Sequence, residues 1–233
     1  MPNEYIALYT NKDRTSPWSH RIEIALSEAG VQPAIGLIDL KDRPEWFTTI
    51  VNPLTKQIPA IAYGGPTVPA DQPSSKSVKL AESGVLLEFL ADIYPEAKLL
   101  PTDPVQRAKA RFFIEKANST FIRSWLMFHK GEGSKEDVFI GLKTMQNLLP
   151  EKGFAVGEWS IADAAVAPLF GWAQVALREG LGSYEEGAGP EMYREIFEGE
   201  RFGRWVEYWR ENEARESWKN TWDEARLLRA YNR

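Results

Sequence analysis

The sequence contains no cysteine and only two histidines, His20 and His129, among its 233 residues. The absence of cysteine excludes disulfides, thiolate metal ligands and dithiol redox chemistry by the protein itself, and it is compatible with a reducing compartment. The two histidines belong to no cluster with the spacing of metal ligands, so we expect no metal site.

Long apolar runs and an excess of basic residues are also absent. No stretch approaches the ~20 apolar residues of a membrane-spanning helix, and Met1 to Glu4 lack the basic and apolar regions of a secretory signal. The net charge is -5 and the pI is near 5.3, which gives no electrostatic basis for binding nucleic acid or an anionic membrane. We therefore expect a cytoplasmic protein in which any anion site is built locally.

Strand and helix patterns alternate in the first part of the chain, and strand patterns largely stop after it. Apolar periodicity predicts strands over 5–10, 34–40, 58–63 and 77–81, with helices over 17–30, 44–49 and 82–94. Residues 64–76, rich in Gly, Pro and Ser, are interpreted as an exposed insertion. After three prolines in 95–104, helical patterns cover 105–130, 135–149, 160–179, 190–197, 202–214 and 216–231. This order predicts a βαβ–ββα domain over 1–95, a linker over 96–104 and an all-helical domain over 105–233.

The segment Ser16-Pro17-Trp18-Ser19-His20-Arg21 joins the first predicted strand to the first helix. Pro17 suits the first helical turn, and Ser16 is a good N-terminal cap. A helix N-terminus has unpaired N–H groups and partial positive charge, so it favours an anion. The segment therefore predicts a locally built anion site beside a hydroxyl.

A second interpretation of the same segment is a hydrolase. Ser16 and His20 are four residues apart and could share a helix face, with Ser16 as nucleophile and His20 as base. No carboxylate is evident to orient His20, and no Gly-x-Ser-x-Gly elbow surrounds Ser16. We therefore interpret His20 as packed or solvated, and His129, which precedes a Gly-Glu-Gly turn, as a surface residue.

Three further motifs complete a pattern that resembles the soluble glutathione transferase superfamily, in which a thioredoxin-like domain precedes an all-helical one. They are Gln57-Ile58-Pro59-Ala60, Glu82-Ser83 at a helix start, and Ser160 to Asp163, which has the pattern of a capping box. The resemblance implies a cis peptide before Pro59, with the Ile58 backbone binding the cysteinyl part of glutathione. It also implies that Glu82 and Ser83 hold the γ-glutamyl end, and that the capping box supports folding.

Within that superfamily the chain is similar to the Omega class and its fungal relatives, through Ser16 to Arg21, Arg43-Pro44-Glu45-Trp46-Phe47 and Asn52-Pro53. The loop of that class reads Cys-Pro-Phe or Cys-Pro-Tyr, two further residues and Arg. Ser16 stands in the place of the cysteine, and Trp18 in the place of the aromatic residue. The resemblance implies that Ser16 is catalytic and Trp18 contacts glutathione. It further implies that Arg43, with Lys56 as the alternative, binds the glycyl carboxylate.

The chemistry implied for Ser16 is stabilisation of the glutathione thiolate. A free thiol has a pKa of ~8.5, and lowering it by ~2 units takes ~2.7 kcal/mol. A helix N-terminus supplies ~0.3–1 kcal/mol, or up to ~2 when partly buried, and a hydrogen bond to a charged group supplies ~1.5–3. A hydroxyl cannot form a mixed disulfide, so we expect conjugation rather than thiol transfer, with peroxide reduction by bound glutathione left open.

The resemblance also implies a homodimer and a hydrophobic ligand site between the two domains. The candidate residues for that site are mostly aromatic, namely Trp18, Arg123, Trp125, Phe128, Leu169, Trp172 and Trp222. Aromatic residues at helical spacing are also typical of a core, while several Trp near one cleft favour flat aromatic ligands.

The sequence thus predicts an α/β thioredoxin-like domain followed by an all-α domain, in a glutathione transferase with glutathione as co-substrate and no metal. Its second substrate is expected to be a hydrophobic, aromatic electrophile, as in detoxification. Two alternatives stay open. One is a ligandin-type carrier that binds aromatic compounds beside glutathione with little turnover. The other is a non-catalytic interaction module of the same fold, which the complete set of candidate glutathione contacts disfavours.

Overall fold

The computed structural model describes residues 4–231, and the prediction about a secretory signal falls almost wholly outside them. Within this range, none of the helices combines the length and the apolarity that a membrane span requires. The chain divides into two compact units. The N-terminal unit contains the described residues up to Leu99 together with the segment that begins at Asn220, and the helical unit contains Leu100–Lys219.

The N-terminal unit is built on a four-stranded mixed sheet. Its strands are β1 (Ile6–Asn11), β2 (Ala34–Ile38), β3 (Ala60–Tyr63) and β4 (Val78–Ala81), in the order β2-β1-β3-β4. β1 is parallel to β2, with Ala7 opposite Ala34, whereas β1–β3 and β3–β4 are antiparallel. The parallel pair needs a crossover, which α1 (Pro17–Glu28) provides. The predicted thioredoxin-like arrangement is confirmed.

α1 and α2 (Ser83–Ile93) belong to the same unit; α2 buries Leu86, Leu87 and Leu90, whereas Val85, which the periodicity placed on the same apolar face, is exposed. On α1, Ile22 and Ala25 are fully buried, as the periodicity predicts, and the chain leaves the helix through Gly30, whose φ of 68° suits glycine. Gly36 on β2 is required for packing, because a Cβ there would overlap the ring of Tyr9.

Two irregular segments of this unit differ from the expectation. The short helix predicted over 44–49 is a π-helical turn at Phe47–Val51, closed by a 2.9 Å hydrogen bond from Asn52 N to Phe47 O. The insertion over 64–76 is partly anchored, because the Tyr5 hydroxyl donates to Val68 O at 2.8 Å and Ala70 packs against the core.

The helical unit contains α3 (Pro104–Ala117), α4 (Arg123–His129), α5 (Lys135–Leu148), α6 (Ile161–Arg178), α7 (Ala188–Phe197) and α8 (Gly203–Glu213). The single helix predicted over 105–130 is interrupted by a π-helical turn, Asn118–Ile122. Ser119 and Thr120 donate from their hydroxyls to the carbonyls of Glu115 and Lys116, at 2.8 and 2.6 Å, and so compete with regular helical bonding at this point.

The capping box predicted at Ser160 is present at the start of α6. Ser160 N donates to Asp163 Oδ2 at 2.8 Å, and Ala162 N donates to Ser160 Oγ at 3.2 Å. The other carboxylate oxygen, Oδ1, accepts from Ala155 N at 2.9 Å. Burial raises the pKa of Asp163 to about 6, and these hydrogen bonds oppose that rise.

The end of the described chain forms two helices, α9 (Glu216–Thr221) and α10 (Glu224–Tyr231), where the sequence predicted one. Asp223 separates them and caps α10, since its Oδ1 accepts from Arg226 N at 2.8 Å. The segment from Asn220 packs with the N-terminal unit, although the prediction placed it in the helical domain.

Candidate functional site

Ser16 lies at the N-terminal end of α1, half-buried and in an extended conformation. Its Oγ accepts a hydrogen bond from Ser19 N at 3.3 Å. The first N–H groups of α1 therefore point to the place where the hydroxyl lies, and Pro17 has no N–H to satisfy. The predicted cap is confirmed, and with it a helix N-terminus beside the hydroxyl of a half-buried serine.

The loop that presents Ser16 is held by Asn11, at the end of β1. Asn11 Oδ1 accepts from Thr15 N at 3.1 Å and from Ser16 N at 3.0 Å, and its Nδ2 donates to Thr15 Oγ1 at 3.0 Å. One side chain thus fixes the backbone directly before α1, so that the position of Ser16 depends on Asn11.

The starts of α1 and α2 are connected through Arg21. Its Nη1 donates to Ser83 Oγ at 3.2 Å, and its guanidinium carbon lies 4.4 Å from the centre of the Trp18 ring. Burial lowers the pKa of Arg21 to about 9, so the group stays charged at neutral pH. Glu82, directly before α2, has a φ of 72° and is exposed. Trp18 and Ser83, two predicted glutathione contacts, are therefore brought together by one buried cation.

The peptide bond between Ile58 and Pro59 is cis, as the resemblance implied. Pro59 is buried directly before β3 and Ile58 is half-buried. The loop before them is organised by Asn52, whose Nδ2 donates to Thr55 Oγ1 at 2.8 Å and to Gln57 O at 3.0 Å. The backbone of Ile58 is therefore presented at a strand start by an ordered loop.

The two candidate residues for the glycyl carboxylate differ in their surroundings. Lys56 is exposed, with a φ of 57°. Arg43 is half-buried, and its Nε is buried without a hydrogen-bond partner among residues 4–231. A buried guanidinium N–H without an acceptor favours binding of an anion, so Arg43 is the stronger candidate.

His20 is buried on α1 and turned toward the C-terminal segment. A ring nitrogen, Nε2, lies 2.8 Å from Thr221 Oγ1, and the ring stacks on Trp222 with centroids 5.6 Å apart. Burial, with a smaller contribution from Arg14, lowers the pKa of His20 to about 3. This geometry assigns His20 a packing role, as expected, and gives no support to its acting as a base for Ser16.

The predicted ligand-site residues do not all lie in one unit. Trp18 and Trp222 are half-buried in the N-terminal unit. In the helical unit, Trp125, Phe128 and Leu169 are buried, Trp172 is half-buried and Arg123 is exposed. Contact of any of these seven residues with a ligand stays a prediction.

His129 was expected at the surface but is half-buried among aromatic rings. Its ring lies 4.8 Å from that of Trp172 and 5.2 Å from that of Trp125, and burial lowers its pKa. Trp125 and Trp172 contact each other edge to face at 5.5 Å. Among residues 4–231, no group of three or more His, Asp or Glu side chains has an arrangement that could hold a metal ion.

Sequence reasoning missed the roles of Asn11, Arg21 and Asn52. Arg21 and Asn52 stand in the motifs that carried the resemblance, but a motif does not state which contacts a side chain makes. Asn11 follows an apolar strand and precedes a polar loop. Asparagine accepting from backbone N–H groups is a common local turn device, and this signal could have identified it.

Comparisons with known proteins agree with this geometry. A family model described as the glutathione S-transferase N-terminal domain matches residues 15–93. A probable glutathione S-transferase of Nicotiana tabacum is 30% identical over 182 residues, which cover 75% of this chain and 71% of that protein.

Solved structures extend the likeness to the whole chain. Glutathione transferase Omega 2C from Trametes versicolor has a TM-score of 0.92 at 47% identity, covering 98% of this chain and 97% of that chain. Omega 2S from the same fungus, in complex with 2,4-dihydroxybenzophenone, has a TM-score of 0.91 at 45% identity and 98% coverage of both chains. With the cis Ile58–Pro59 peptide and the capped α1 start, these matches show that the chain belongs to the glutathione transferase family.

Proposed function

We propose that this glutathione transferase binds glutathione along its N-terminal unit and uses Ser16 to hold the sulfur as a thiolate. The thiolate then attacks a hydrophobic, aromatic electrophile. Membership of the family gives glutathione as co-substrate, with conjugation or a related reaction as the activity. The observation that carries the finer proposal is the place of the Ser16 hydroxyl at the N-terminus of α1.

The hydrogen bonding of Ser16 supports its role as a donor. Ser16 Oγ accepts from Ser19 N, so its own hydrogen is available for an external acceptor. A thiolate held by this O–H and by the α1 N-terminus gains ~1.5–3 kcal/mol from the first and up to ~2 kcal/mol from the second. At their upper ends the two contributions together reach about 5 kcal/mol, which is more than the ~2.7 kcal/mol that a thiol pKa shift of ~2 units requires.

The other predicted contacts fit the remaining groups of glutathione. The γ-glutamyl end carries an ammonium, which suits the carboxylate of Glu82, and a carboxylate, which suits Ser83 together with the α2 N-terminus. The Ile58 backbone offers strand-type hydrogen bonds to the cysteinyl residue. The unpartnered Nε of Arg43 suits the glycyl carboxylate, with Lys56 as the alternative.

Variants of Ser16 test this proposal. Ser16→Ala removes the donor and is expected to lower conjugation of an activated aryl halide by about 10- to 100-fold, because a charge-assisted hydrogen bond is lost. The pKa of bound glutathione, followed by thiolate absorbance, is expected to rise. Ser16→Cys introduces a thiol at the same place and is expected to gain thiol transfer from a mixed disulfide.

Ser27→Ala on the same helix is the matched control, since Ser27 lies outside the proposed site near the C-terminal end of α1. It should leave both activities unchanged. Two results would contradict the role given to Ser16. One is a Ser16→Ala variant that binds glutathione with an unaltered thiol pKa. The other is a Ser16→Cys variant that still binds glutathione but shows no thiol transfer. Peroxide reduction measured with the same variants would show whether that reaction shares the thiolate.

A carrier of aromatic compounds is the second candidate function. It is favoured by the similar Trametes versicolor protein that was solved in complex with 2,4-dihydroxybenzophenone, and by the half-buried Trp18 and Trp222 of this chain. Titration with that benzophenone and assays with a panel of electrophiles distinguish the two. Tight binding without Ser16-dependent turnover supports the carrier, whereas turnover that Ser16→Ala abolishes supports the enzyme.

We also propose that the protein is a homodimer, and that it acts in the cytoplasm in detoxification. The dimer is supported by large apolar side chains that are exposed on each unit. They are Val78 (56% exposed) and Val85 (55%) on the N-terminal unit, and Val105 (62%) and Phe112 (51%) on the helical unit. Light scattering should give twice the chain mass, and Val85→Glu should shift the mass toward the monomer, while Glu136→Gln on an exposed face should not. A monomeric wild-type chain at micromolar concentration would contradict the dimer.

A further inference from the structure

A pocket of about 300 Å³ is formed in the N-terminal unit by the loop after β1 and by helix α10. Its lining consists of Lys12, Asp13 and Arg14 from the loop with Arg226, Arg229 and Ala230 from the helix. Four of these six residues are cations and one is an anion. The chain as a whole has a net charge of -5, so this positive charge is a local feature. The residues that carry it come from two segments distant in sequence.

Each of the four cations lies within ion-pair distance of a carboxylate that belongs to a residue outside the pocket lining. Lys12 pairs with Asp39 at 2.6 Å and Arg14 with Glu23 at 2.8 Å. Arg226 pairs with Asp223 at 3.3 Å, and Arg229 lies 3.9 Å from the same carboxylate. Because an arginine has five N–H donors, each such pair leaves donors of the guanidinium available.

Arg14 gives an independent indication that donors remain. Its Nη2 binds Glu23, while its Nε is buried and has no hydrogen-bond partner among residues 4–231. Its backbone has a φ of 48°, a conformation that costs a residue other than glycine ~1–2 kcal/mol. A residue held in this conformation with an unused buried donor points to a function for its side chain.

We infer that this pocket is a binding site for a phosphate group, carried either by inorganic phosphate or by a small phosphomonoester. Planar guanidinium groups match the oxygens of a phosphate in pairs, and three arginines line the pocket. A volume of about 300 Å³ is at the lower limit for ligand sites, which favours a compact anion over a nucleotide or a nucleic acid.

Binding there has a mechanical consequence. The loop residues Lys12 to Arg14 form one wall and α10 forms the other. Glu23 on α1 lies close to both sides: burial raises the pKa of its carboxyl, and the charges of Arg14 and Arg226 oppose that rise. A phosphate held by both walls joins the C-terminal helix to the loop that presents Ser16. The site itself involves neither Ser16 nor glutathione, so it stands independently of the proposed function.

Calorimetric titration of the full chain with inorganic phosphate, and separately with glycerol phosphate, tests the site at an ionic strength kept constant with chloride. We expect saturable binding at one site, and an affinity at least about tenfold lower for Arg226→Gln/Arg229→Gln. Arg210→Gln, which removes an exposed cation from the helical unit, is the matched control and should bind like the wild type. Because Arg229 is 63% exposed, Arg229→Gln alone provides a variant whose folding is not in question.

Hydrogen exchange gives a second measurement on the same samples. Phosphate should slow exchange of the α10 amides in the wild type and in Arg210→Gln, but not in Arg226→Gln/Arg229→Gln. Binding of both probes supports a site for the phosphate group as such, and binding of glycerol phosphate alone supports a site for phosphomonoesters. Absence of saturable binding, equal loss in Arg210→Gln, or unchanged affinity in both pocket variants would overturn the inference.

Discussion

At the scale of single residues, the place of Ser16 depends on a side chain that does no chemistry. Asn11 accepts from two consecutive N–H groups, those of Thr15 and Ser16, and so fixes the backbone that leads into α1. A hydroxyl that stabilises a thiolate has to be held within a fraction of an ångström. Asn11 is therefore a positioning residue for the proposed reaction.

Replacement of Asn11 tests this role. Asn11→Ala leaves both N–H groups without their acceptor, so we expect the pKa of the bound glutathione thiol to rise and kcat/KM for conjugation to fall about tenfold, at a stability cost of ~1–2 kcal/mol. Asn11→Asp keeps an acceptor oxygen and should restore most of the stability. An Asn11→Ala variant with less stability but an unaltered thiol pKa would assign Asn11 a purely structural role.

The residues that the sequence identified are those whose chemistry is local. Ser16 next to Pro17 can be recognised as a helix cap from two letters, and the structure has this cap. The contacts of Arg21 could not be predicted, because Ser83 is 62 positions away and only the packing of α1 with α2 brings them together. The sequence likewise does not show that the Nε of Arg43 is buried without a hydrogen-bond partner, because burial depends on how the chain packs.

At the scale of elements, the start of α6 shows how one carboxylate organises a helix and the chain before it. Asp163 is fully buried and accepts from Ala155 N and Ser160 N, while Ser160 Oγ caps Ala162 N. The exposed cap of α5 is built from the same residue types, with Ser134 Oγ accepting from Asp137 N at 3.1 Å. The two caps therefore allow a matched comparison of burial.

We expect Ser160→Ala to lower the free energy of unfolding by about 1–2 kcal/mol, and Asp163→Ala by about 3–5 kcal/mol, since it leaves two buried N–H groups without acceptors. Ser134→Ala is expected to cost less than Ser160→Ala, because water can replace an exposed cap. Urea unfolding followed by circular dichroism measures all three. Equal losses in Ser134→Ala and Ser160→Ala would show that burial does not determine the cost of losing the cap.

Element boundaries were predicted well where capping residues stand, and less well inside long helical patterns. The helix predicted over 105–130 contains the π-helical turn Asn118–Ile122, and the one predicted over 216–231 is divided at Asp223. Apolar periodicity continues through both places, so the sequence pattern does not show the interruptions. They arise where hydroxyls compete for backbone carbonyls and where Asp223 caps a new helix.

At the scale of the whole molecule, His20 connects α1 to the segment that returns to the N-terminal unit. Its ring is bonded to Thr221 and stacked on Trp222. The pKa of His20 falls from its ordinary 6.5 to about 3 in the folded chain. Between these values the unfolded chain binds the proton and the folded chain does not, so the free energy of unfolding decreases as the pH falls below 6.5.

This contribution is expected to reach about 2 kcal/mol at pH 5, relative to pH 7.5. His20→Gln keeps a polar group near Thr221 but has no titration, so its stability should fall less over the same range. Asp163, whose pKa is raised, has the opposite pH dependence, but it is present in both proteins and cancels in the difference. Urea unfolding at several pH values gives the two curves, and parallel curves would contradict a buried neutral His20.

The sequence by itself determined the thioredoxin-like order of strands and helices, the cap at Ser16 and the capping box at Ser160, because periodicity and capping act between residues close in the chain. Only the tertiary structure decided that Arg21 joins Trp18 to Ser83, that the segment from Asn220 packs with the N-terminal unit, and that four cations line one pocket. These features join residues that are distant in sequence. Such residues come together only when the chain packs, and no local sequence pattern encodes that packing.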